Sequence, residues 1–336
     1  MNKELKKTSF FKAAIFNATA AIFVAAPSLF GGDADPRIAK FPGDRAAAVS
    51  LTFDDGLPDH LSIAVPALEK RGMRGTFFLV TGYIPNNAEE ASNPKAHNYG
   101  KIPWPVWKEL AEKGHEIGNH SMHHKQLTKL SDEDLAKEID DAYSLIEKNI
   151  GQAPLTFCFP GNGHDERVDR AVAQRHVAGR TRLKGYGGKD FTLEKANGMV
   201  EEAIAKRDWM VVMIHGIKQG YDAFGDPDVF GAHLDFLAEN SSRVAVDTFA
   251  NIARYVAERD NAKLSSEKIS GGVRLSISTT LDKRYSVPLT VVIPAPDAKD
   301  VKALFKDDGK PVPVKIVQGS ILVDMIPDGR AADVTW

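Results

Sequence analysis

Cysteine and net charge are what this sequence has least of. Cys158 is the single cysteine among 336 residues, which excludes an intramolecular disulfide and a metal cluster built on several thiolates. Forty-three basic residues nearly balance 45 acidic ones, and the formal net charge of -2 provides no field to recruit nucleic acid or an anionic membrane. The composition, with 43% hydrophobic residues, indicates a globular protein whose favoured partner is a neutral glycan or a small molecule.

Long hydrophobic runs are also missing, apart from a short one near the N-terminus. A basic segment at 1–12 precedes a largely apolar stretch at 13–26, which ends in small residues before Pro27. This order is typical of a secretory signal peptide, which we predict at 1–26, and it predicts a secreted or periplasmic protein. An amphipathic N-terminal helix is the alternative. The stretch is shorter than the ~20 residues of a membrane span, so we expect no span after cleavage.

The rest of the chain shows two textures. From about residue 46, short apolar runs alternate with amphipathic stretches, which predicts β/α units around a parallel sheet. We predict strands at 47–53, 75–80, 116–118, 155–159 and 210–214, and helices at 105–113, 132–149 and 249–259. After Asp260 the apolar residues alternate with period two between turns, which predicts a small antiparallel β domain at 265–336. That segment contains no histidine, and we expect it to give structural support.

Two adjacent carboxylates, Asp54 and Asp55, end the first predicted strand and precede Gly56. Like charges this close raise each other's pKa, so the pair is costly unless a cation or a catalytic task uses it. Taken alone, the Asp-Asp-Gly sequence is equally typical of a turn or a helix cap.

Histidines follow another strand, in the segment Gly118-Asn119-His120-Ser121-Met122-His123-His124. The spacing of His120 and His124 places both imidazoles on one side of a helical turn, where they can share a metal. His123 competes for the second position through its i, i+3 spacing. Because the carboxyl ends of barrel strands meet at one face, one Asp of the acidic pair and two histidines can come close enough there to bind one metal ion.

A further histidine, His215, follows the almost wholly apolar strand at 210–214. A buried structural histidine is the common explanation for such a residue, but a position just beyond the strand places it at the catalytic face of a barrel. Trp104 and Trp107 precede the histidine segment. Helix packing is favoured over sugar stacking for this pair.

Together these segments resemble the polysaccharide deacetylase family, also called carbohydrate esterase family 4, from about 46 to 259. Thr-Phe-Asp54-Asp55-Gly is similar to the motif whose first Asp is the general base and whose second Asp is a metal ligand. His120-Ser-Met-His-His124 is similar to the motif that supplies two imidazole ligands, and Met-Ile-His215 to the motif that supplies the general acid. The resemblance implies a distorted (β/α) barrel at 40–262, followed here by a β-sandwich-like domain at 265–336.

The third family motif departs from the pattern. Where many members have Arg-Pro-Pro-Tyr-Gly, this chain has Cys158-Phe-Pro160-Gly161-Asn162-Gly, so the arginine that orients the base and the tyrosine beside the acetyl group are absent. Pro160 and the Gly161 N–H are the expected remnants of an oxyanion site. A fourth motif is not recognisable; the region of Arg180-Thr181 or Asp190 is the place to look for it.

The function implied is metal-dependent removal of N- or O-linked acetyl groups from a carbohydrate polymer. The predicted cofactor is a divalent metal, Zn²⁺ in the first instance, held by Asp55, His120 and His124, because three protein ligands leave a coordination position open for catalysis. Asp54 is the predicted base and His215 the predicted acid. Three alternatives stay open: a non-haem iron oxygenase with a double-stranded β fold, a non-catalytic glycan-binding homologue, and a hydrolase of small amides or formamides.

Overall fold

A curved parallel β-sheet forms the larger part of the protein. The computed structural model describes residues 35–93, 95 and 97–336, so the predicted signal peptide at 1–26 lies outside the described residues. The parallel strands are β2 (Ala47–Asp54), β3 (Thr76–Leu79), β4 (Glu116–Asn119), β5 (Thr156–Cys158), β6 (Ala178–Arg180), β7 (Lys184–Tyr186), β8 (Trp209–Ile214) and β9 (Val244–Val246). Their order is β6-β5-β4-β3-β2-β8-β7, with β9 beside the first half of β2.

The central strand of this sheet is β2, and every one of its residues is buried. Strands covered on both faces are apolar along their whole length, which explains why Ala47 to Phe53 contains so few polar residues. Phe53 stacks on Phe77 of β3, with ring centroids 5.0 Å apart. Because all strand pairs are parallel, the carboxyl ends of β2, β3, β4, β5, β6 and β8 lie along one edge of the curved sheet.

Most helices pack against one face of the sheet, and the last one packs against the other face. The helices are α1 (Val65–Glu69), α2 (Ala88–Ala91), α3 (Trp104–Glu112), α4 (Asp132–Ala136), α5 (Ala142–Ile150), α6 (Glu166–Ala173), α7 (Leu193–Lys206), α8 (Asp228–Glu239) and α9 (Phe249–Asn261). A wider π-type turn at 137–141 joins α4 to α5, so the single helix predicted at 132–149 is present with an altered middle. Ser131 caps its start by accepting a hydrogen bond from the Asp134 N–H.

A second region consists of two antiparallel sheets packed face to face. Their strands are β1 (Arg37–Ile38), β10 (Lys263–Ile269), β11 (Gly272–Ser278), β12 (Leu289–Pro294), β13 (Lys302–Phe305), β14 (Val314–Val317), β15 (Ser320–Met325) and β16 (Asp328–Thr335). The two orders are β1-β12-β15-β14 and β10-β11-β16-β13. Alternate residues such as Val273, Leu275 and Ile277 point inward and form the core between the sheets. We call this region the sandwich and the larger region the half-barrel.

The predicted fold class, an α/β barrel type with a C-terminal antiparallel addition, is confirmed. The boundaries assigned to the signal peptide, barrel and β domain stay predictions. The parallel sheet contradicts the iron oxygenase alternative, which requires a double-stranded β fold. In the part of the chain that is described, no helix has the length and apolar character needed to cross a membrane.

Candidate active site

The acidic pair lies at the carboxyl edge of the half-barrel, where β2 ends. Asp54 is the last residue of β2, and Asp55 follows with a left-handed backbone, φ +77°. A non-glycine residue with this φ is uncommon and costs free energy, which the surrounding packing must offset. The turn directs both carboxylates to the same edge of the sheet, and both are buried.

Asp54 forms a buried ion pair with Arg180, the last residue of β6. Its two oxygens accept hydrogen bonds from Arg180 Nη1 at 2.7 Å and Nη2 at 2.5 Å, and Nη1 also donates to Thr52 Oγ1 at 2.6 Å. Burial raises the pKa of Asp54, but the Arg180 guanidinium more than offsets this effect and holds that pKa below its ordinary value. The Asp54 carboxylate is therefore ionised and fixed in orientation.

Arg180 contacts Asp54 although the arginine of the third motif is absent from the sequence. It reaches Asp54 from β6, the strand beside the one that carries the motif position. The residue at the motif position is Cys158 on β5, and β6 pairs with β5 so that Cys158 lies beside Arg180. Strand β6 was not predicted because Ala-Gly-Arg is too short to show a hydrophobic period.

The histidine pair lies on a loop after β4. His120 directly follows β4, and the backbone is left-handed at both Ser121 (φ +67°) and His124 (φ +59°). The helical turn invoked to bring the imidazoles together is therefore wrong. A tight loop does so instead, in which Ser121 Oγ accepts a hydrogen bond from the His124 N–H at 2.9 Å and Asn119 Oδ1 accepts one from the Ser121 N–H at 2.9 Å.

Asp55, His120 and His124 converge on one point. Asp55 Oδ1 lies 3.5 Å from His120 Nε2 and 3.8 Å from His124 Nε2. Ligand atoms about 2.1 Å from a tetrahedral Zn²⁺ are about 3.4 Å apart, so the spacing suits such an ion. Asp55 Oδ1 is buried and, within the described residues, has no hydrogen-bond partner, as expected of an oxygen reserved for a cation. These residues form a group that fits a divalent metal.

The protonation states of the three groups favour the same interpretation. Burial lowers the pKa of His120 to about 4 and lowers that of His124, so both imidazoles are neutral, as metal ligands must be. His120 Nδ1 lies 2.8 Å from the Cys158 carbonyl oxygen, so Nδ1 carries the proton and donates a hydrogen bond to that oxygen. The unprotonated Nε2 is then free to bind a metal. Burial and the neighbouring Asp54 carboxylate raise the pKa of Asp55 to about 7, a cost that a bound cation would remove.

His123 does not join this group. Its N–H donates to Glu138 Oε2 at 2.7 Å, and its Nδ1 lies 2.9 Å from Glu138 Oε1. Glu138 is itself buried and also pairs with Lys125. The ring of His123 is therefore held away from Asp55, which resolves the choice between His123 and His124 in favour of His124.

Cys158 lies next to Asp54 and His120. Its Sγ is 3.7 Å from Asp54 Oδ2 and 4.0 Å from His120 Nε2, so a second group of three polar side chains exists beside the first. Burial raises the pKa of the Cys158 thiol well above its ordinary value, which keeps it protonated. Because Arg180 already neutralises Asp54, the first group is the better cation site.

His215 lies near Asp55 Oδ2, the carboxylate oxygen other than the one that faces His120 and His124. Its Nε2 is 4.0 Å from Asp55 Oδ2, and the edge of its ring contacts the ring of Tyr221 at 5.0 Å between centroids. Burial lowers the pKa of His215. Within the described residues, its Nδ1 is buried without a hydrogen-bond partner. His215 is thus placed at the edge of the site, as expected from its position after β8.

An open cavity of about 790 Å³ is lined by these groups. Gly161 and Asn162 form one side, and the segment Gln219–Asp222 forms another, so part of the loop after His215 lines the cleft. Pro160 is buried beneath Gly161. Trp104 and Trp107 do not reach the cavity: both are buried in the core, where Trp107 packs against Phe77. Their predicted role in helix packing is therefore the correct one.

Comparisons with known proteins show what this chain is similar to. Residues 43–178 match the family model described as polysaccharide deacetylase. A gellan lyase from Bacillus sp. is 23% identical over 89% of this chain and 13% of its own length. A peptidoglycan-N-acetylglucosamine deacetylase from Bacillus cereus is 32% identical over 38% of this chain and 52% of its own length. Among solved structures, a family 4 acetyl xylan esterase from Clostridium thermocellum is 21% identical, with a TM-score of 0.43 over 61% of this chain and 89% of its own.

These two curated relatives are longer than the region they share with this chain. The shared region covers 13% of the gellan lyase and 52% of the peptidoglycan-N-acetylglucosamine deacetylase. The matched segment, 43–178, contains the Asp54-Asp55 pair and the histidine loop, and Arg180 and His215 follow it. The resemblance inferred from the sequence is confirmed: the segment that carries the acidic pair and the histidine loop matches the polysaccharide deacetylase family model.

Proposed function

We propose that this protein is a metal-dependent hydrolase that removes N- or O-linked acetyl groups from a carbohydrate polymer. One observation carries the proposal: the Asp55, His120 and His124 ligand atoms converge beside a second, ionised carboxylate, Asp54, at the floor of an open cleft. A metal site alone would need no second buried aspartate. Hydrolysis needs one, because the attacking water must lose a proton.

The roles of the side chains follow from their positions. Asp54, held ionised by Arg180, accepts the proton of the water whose oxygen bonds to the acetyl carbon. His215, near Asp55 Oδ2, donates a proton to the amine or alkoxide when its bond to that carbon breaks. The products are acetate and the free amine or hydroxyl. Gly161 N–H, beside Pro160 in the cavity wall, is the proposed donor to the oxyanion.

A divalent metal, Zn²⁺ in the first instance, would be held by Asp55, His120 and His124. When bound, it supplies Lewis acidity, which polarises the acetyl carbonyl and makes water a better nucleophile near neutral pH. The neutral imidazoles and the free Asp55 Oδ1 suit that ion.

The cleft suits a sugar polymer. Tyr99 and Tyr221 line the cavity on different loops, and Tyr221 is 72% exposed. Tyrosine rings offer an apolar face to the C–H groups of a sugar and a hydroxyl to its polar edge. An open cleft between two such rings accommodates a chain that extends beyond the acetylated unit. A polymer outside the cytoplasm also agrees with the signal peptide predicted at 1–26.

Acetate release tests the proposal directly. The protein, stripped of metal and then reloaded with Zn²⁺, is incubated with acetylated xylan, acetylated chitooligosaccharides and peptidoglycan. We expect acetate from at least one glycan, dependent on the added metal, and none from His120→Ala. His164 is exposed and is not among the residues that line the cavity, so His164→Gln is the matched control that keeps the activity. Release from small amides but from no glycan would favour the small-molecule alternative, and binding without release would favour the non-catalytic one.

A further inference from the structure

A buried carboxylate anchors the loop that follows His215. Asp59, five residues after Asp54, accepts hydrogen bonds on one oxygen from three consecutive backbone N–H groups, those of Ile217 at 3.1 Å, Lys218 at 2.6 Å and Gln219 at 2.6 Å. Hydrogen bonds to a carboxylate are about twice as strong as neutral ones. The start of this loop is therefore fixed to the turn after β2, which also carries the acidic pair.

The neighbour of Asp59 holds the backbone of His215 itself. His60 Nδ1 accepts a hydrogen bond from the Leu57 N–H at 3.1 Å, and its Nε2 lies 2.8 Å from the His215 carbonyl oxygen. A neutral imidazole has one donor and one acceptor nitrogen, so Nε2 carries the proton and donates a hydrogen bond to that carbonyl. His60 is fully buried, and burial lowers its pKa to about 4, which keeps the ring neutral.

The loop between these anchors has little freedom. The Gly216 N–H donates to the Tyr221 carbonyl at 2.9 Å, and a Cβ added at Gly216 would lie 2.0 Å from the Gln219 carbonyl oxygen. Together with the Asp59 contacts, this hydrogen bond fixes the backbone on both sides of the turn that carries His215 and Tyr221. We call the contacts of Asp59 and His60 with residues 215–219 the latch.

We infer that Asp59 and His60 are positioning residues for His215: they hold its imidazole where it can protonate the leaving group. The inference rests on the proposed function. Neither residue belongs to the metal group, although Asp59 lines the same cavity, and both contact the His215 loop through its backbone atoms. A displacement of about 1 Å at a catalytic group can cost on the order of 10²-fold in rate, so loss of the latch has a measurable consequence.

The dependence of the rate on the leaving group separates positioning from general damage. Hydrolysis of a glycan acetyl group requires protonation of a basic amine or alkoxide, whereas 4-nitrophenolate departs from an aryl acetate without it. We therefore compare kcat for Asp59→Ala on the fastest glycan found above and on 4-nitrophenyl acetate, with bound metal measured for each protein. We expect a loss of roughly 10- to 100-fold on the glycan, less than 3-fold on the aryl ester, and unchanged metal content.

Three further variants complete the test. Asp59→Asn retains an oxygen acceptor and should recover part of the glycan activity, and it replaces Asp59→Ala if the latter does not fold. His60→Leu, which removes the donor to the His215 carbonyl, should show the same substrate selectivity. Ser62→Ala is the matched control, because the Ser62 side chain is exposed on the same turn and bonds only to the Pro58 carbonyl among the contacts described.

Equal losses of kcat on both substrates, or no loss on either, would overturn the inference that the latch positions His215. If the metal-loaded wild-type protein releases acetate from none of the glycans, the proposed function itself fails, whatever its rate on the aryl ester. The two failures are thereby distinguished.

Discussion

Charged residues are used differently in the half-barrel and in the sandwich. At the edge of the half-barrel, Arg180 and Asp54 are paired with side chains that are 0% and 3% exposed. In the sandwich, Arg274 and Asp333 form a similar two-pronged pair on the surface, with side chains 27% and 32% exposed. Burying an ion pair costs several kcal/mol of desolvation per ion, so it is a poor way to stabilise a fold. The difference indicates that the half-barrel edge is built for chemistry and the sandwich for packing.

Neutralising one carboxylate in each region should produce the largest contrast. We expect Asp54→Asn to lower kcat for acetate release by about 10²- to 10⁴-fold, because the amide cannot accept the proton of the water. Bound metal should stay near the wild-type level, since Asp54 is not among the three ligands. The matched variant, Asp333→Asn, should retain wild-type kcat. A wild-type rate for Asp54→Asn would show that the base has been assigned wrongly.

Removing one cation in each region tests the same contrast in stability. Arg180→Met leaves the Asp54 carboxylate buried without a partner, and we expect the free energy of unfolding in urea to fall by about 3–5 kcal/mol. Arg274→Met should leave it unchanged within the precision of the measurement, because an exposed pair contributes little. Adding Asp54→Asn to Arg180→Met should restore part of the loss. Equal losses for Arg180→Met and Arg274→Met would contradict the distinction between the two pairs.

Mild acid should weaken the half-barrel through its buried histidines. Burial lowers the pKa of His60, His120, His176 and His233 to about 4. In the unfolded chain a histidine titrates near 6.5, so the unfolded state binds more protons between these values, and stability falls as pH falls from about 6.5 to 4. The upper bound is about 3 kcal/mol per histidine. The sandwich strands after residue 262 contain no histidine and lack this contribution.

The measurement is the free energy of unfolding in urea between pH 7 and pH 4, with a chelator present to keep His120 free of metal. His176→Gln should flatten the pH dependence, because His176 is buried between the Tyr143 and Phe157 rings and is not part of the metal group. An identical pH dependence in the wild type and in this variant would show that His176 does not carry the predicted share.

Local patterns allowed the ligand set to be predicted but not the way in which its members meet. The apolar run that ends at Asp54-Asp55 and the histidine segment after β4 are both local features, and the ends of parallel strands meet at one edge. The helical turn invoked for His120 and His124 was wrong because the loop takes left-handed backbone at Ser121 and His124, which no period in the sequence indicates.

Other functional residues left little local signal. The sequence marked Arg180 only as part of a region in which to look for a fourth motif, and the pairing of β6 with β5 is what brings it beside Asp54. In the sequence, Asp59 is indistinguishable from an ordinary turn residue. The three backbone N–H groups that donate hydrogen bonds to it lie about 160 residues further along the chain. The choice of His124 over His123 depends on Glu138, a buried carboxylate from a different element.

The sequence by itself determined the class of fold, the apolar strands and the presence of the β region that forms the sandwich. It also indicated the candidate metal ligands and the candidate acid–base pair. These features could be predicted because hydrophobic periodicity and short motifs are encoded by neighbouring residues. The tertiary structure alone decided which cation holds the base, which histidine faces the metal group and how the His215 loop is fixed. Each of these depends on a contact between residues distant in the chain, and such contacts exist only once the sheet has curved and closed its edge around the cleft.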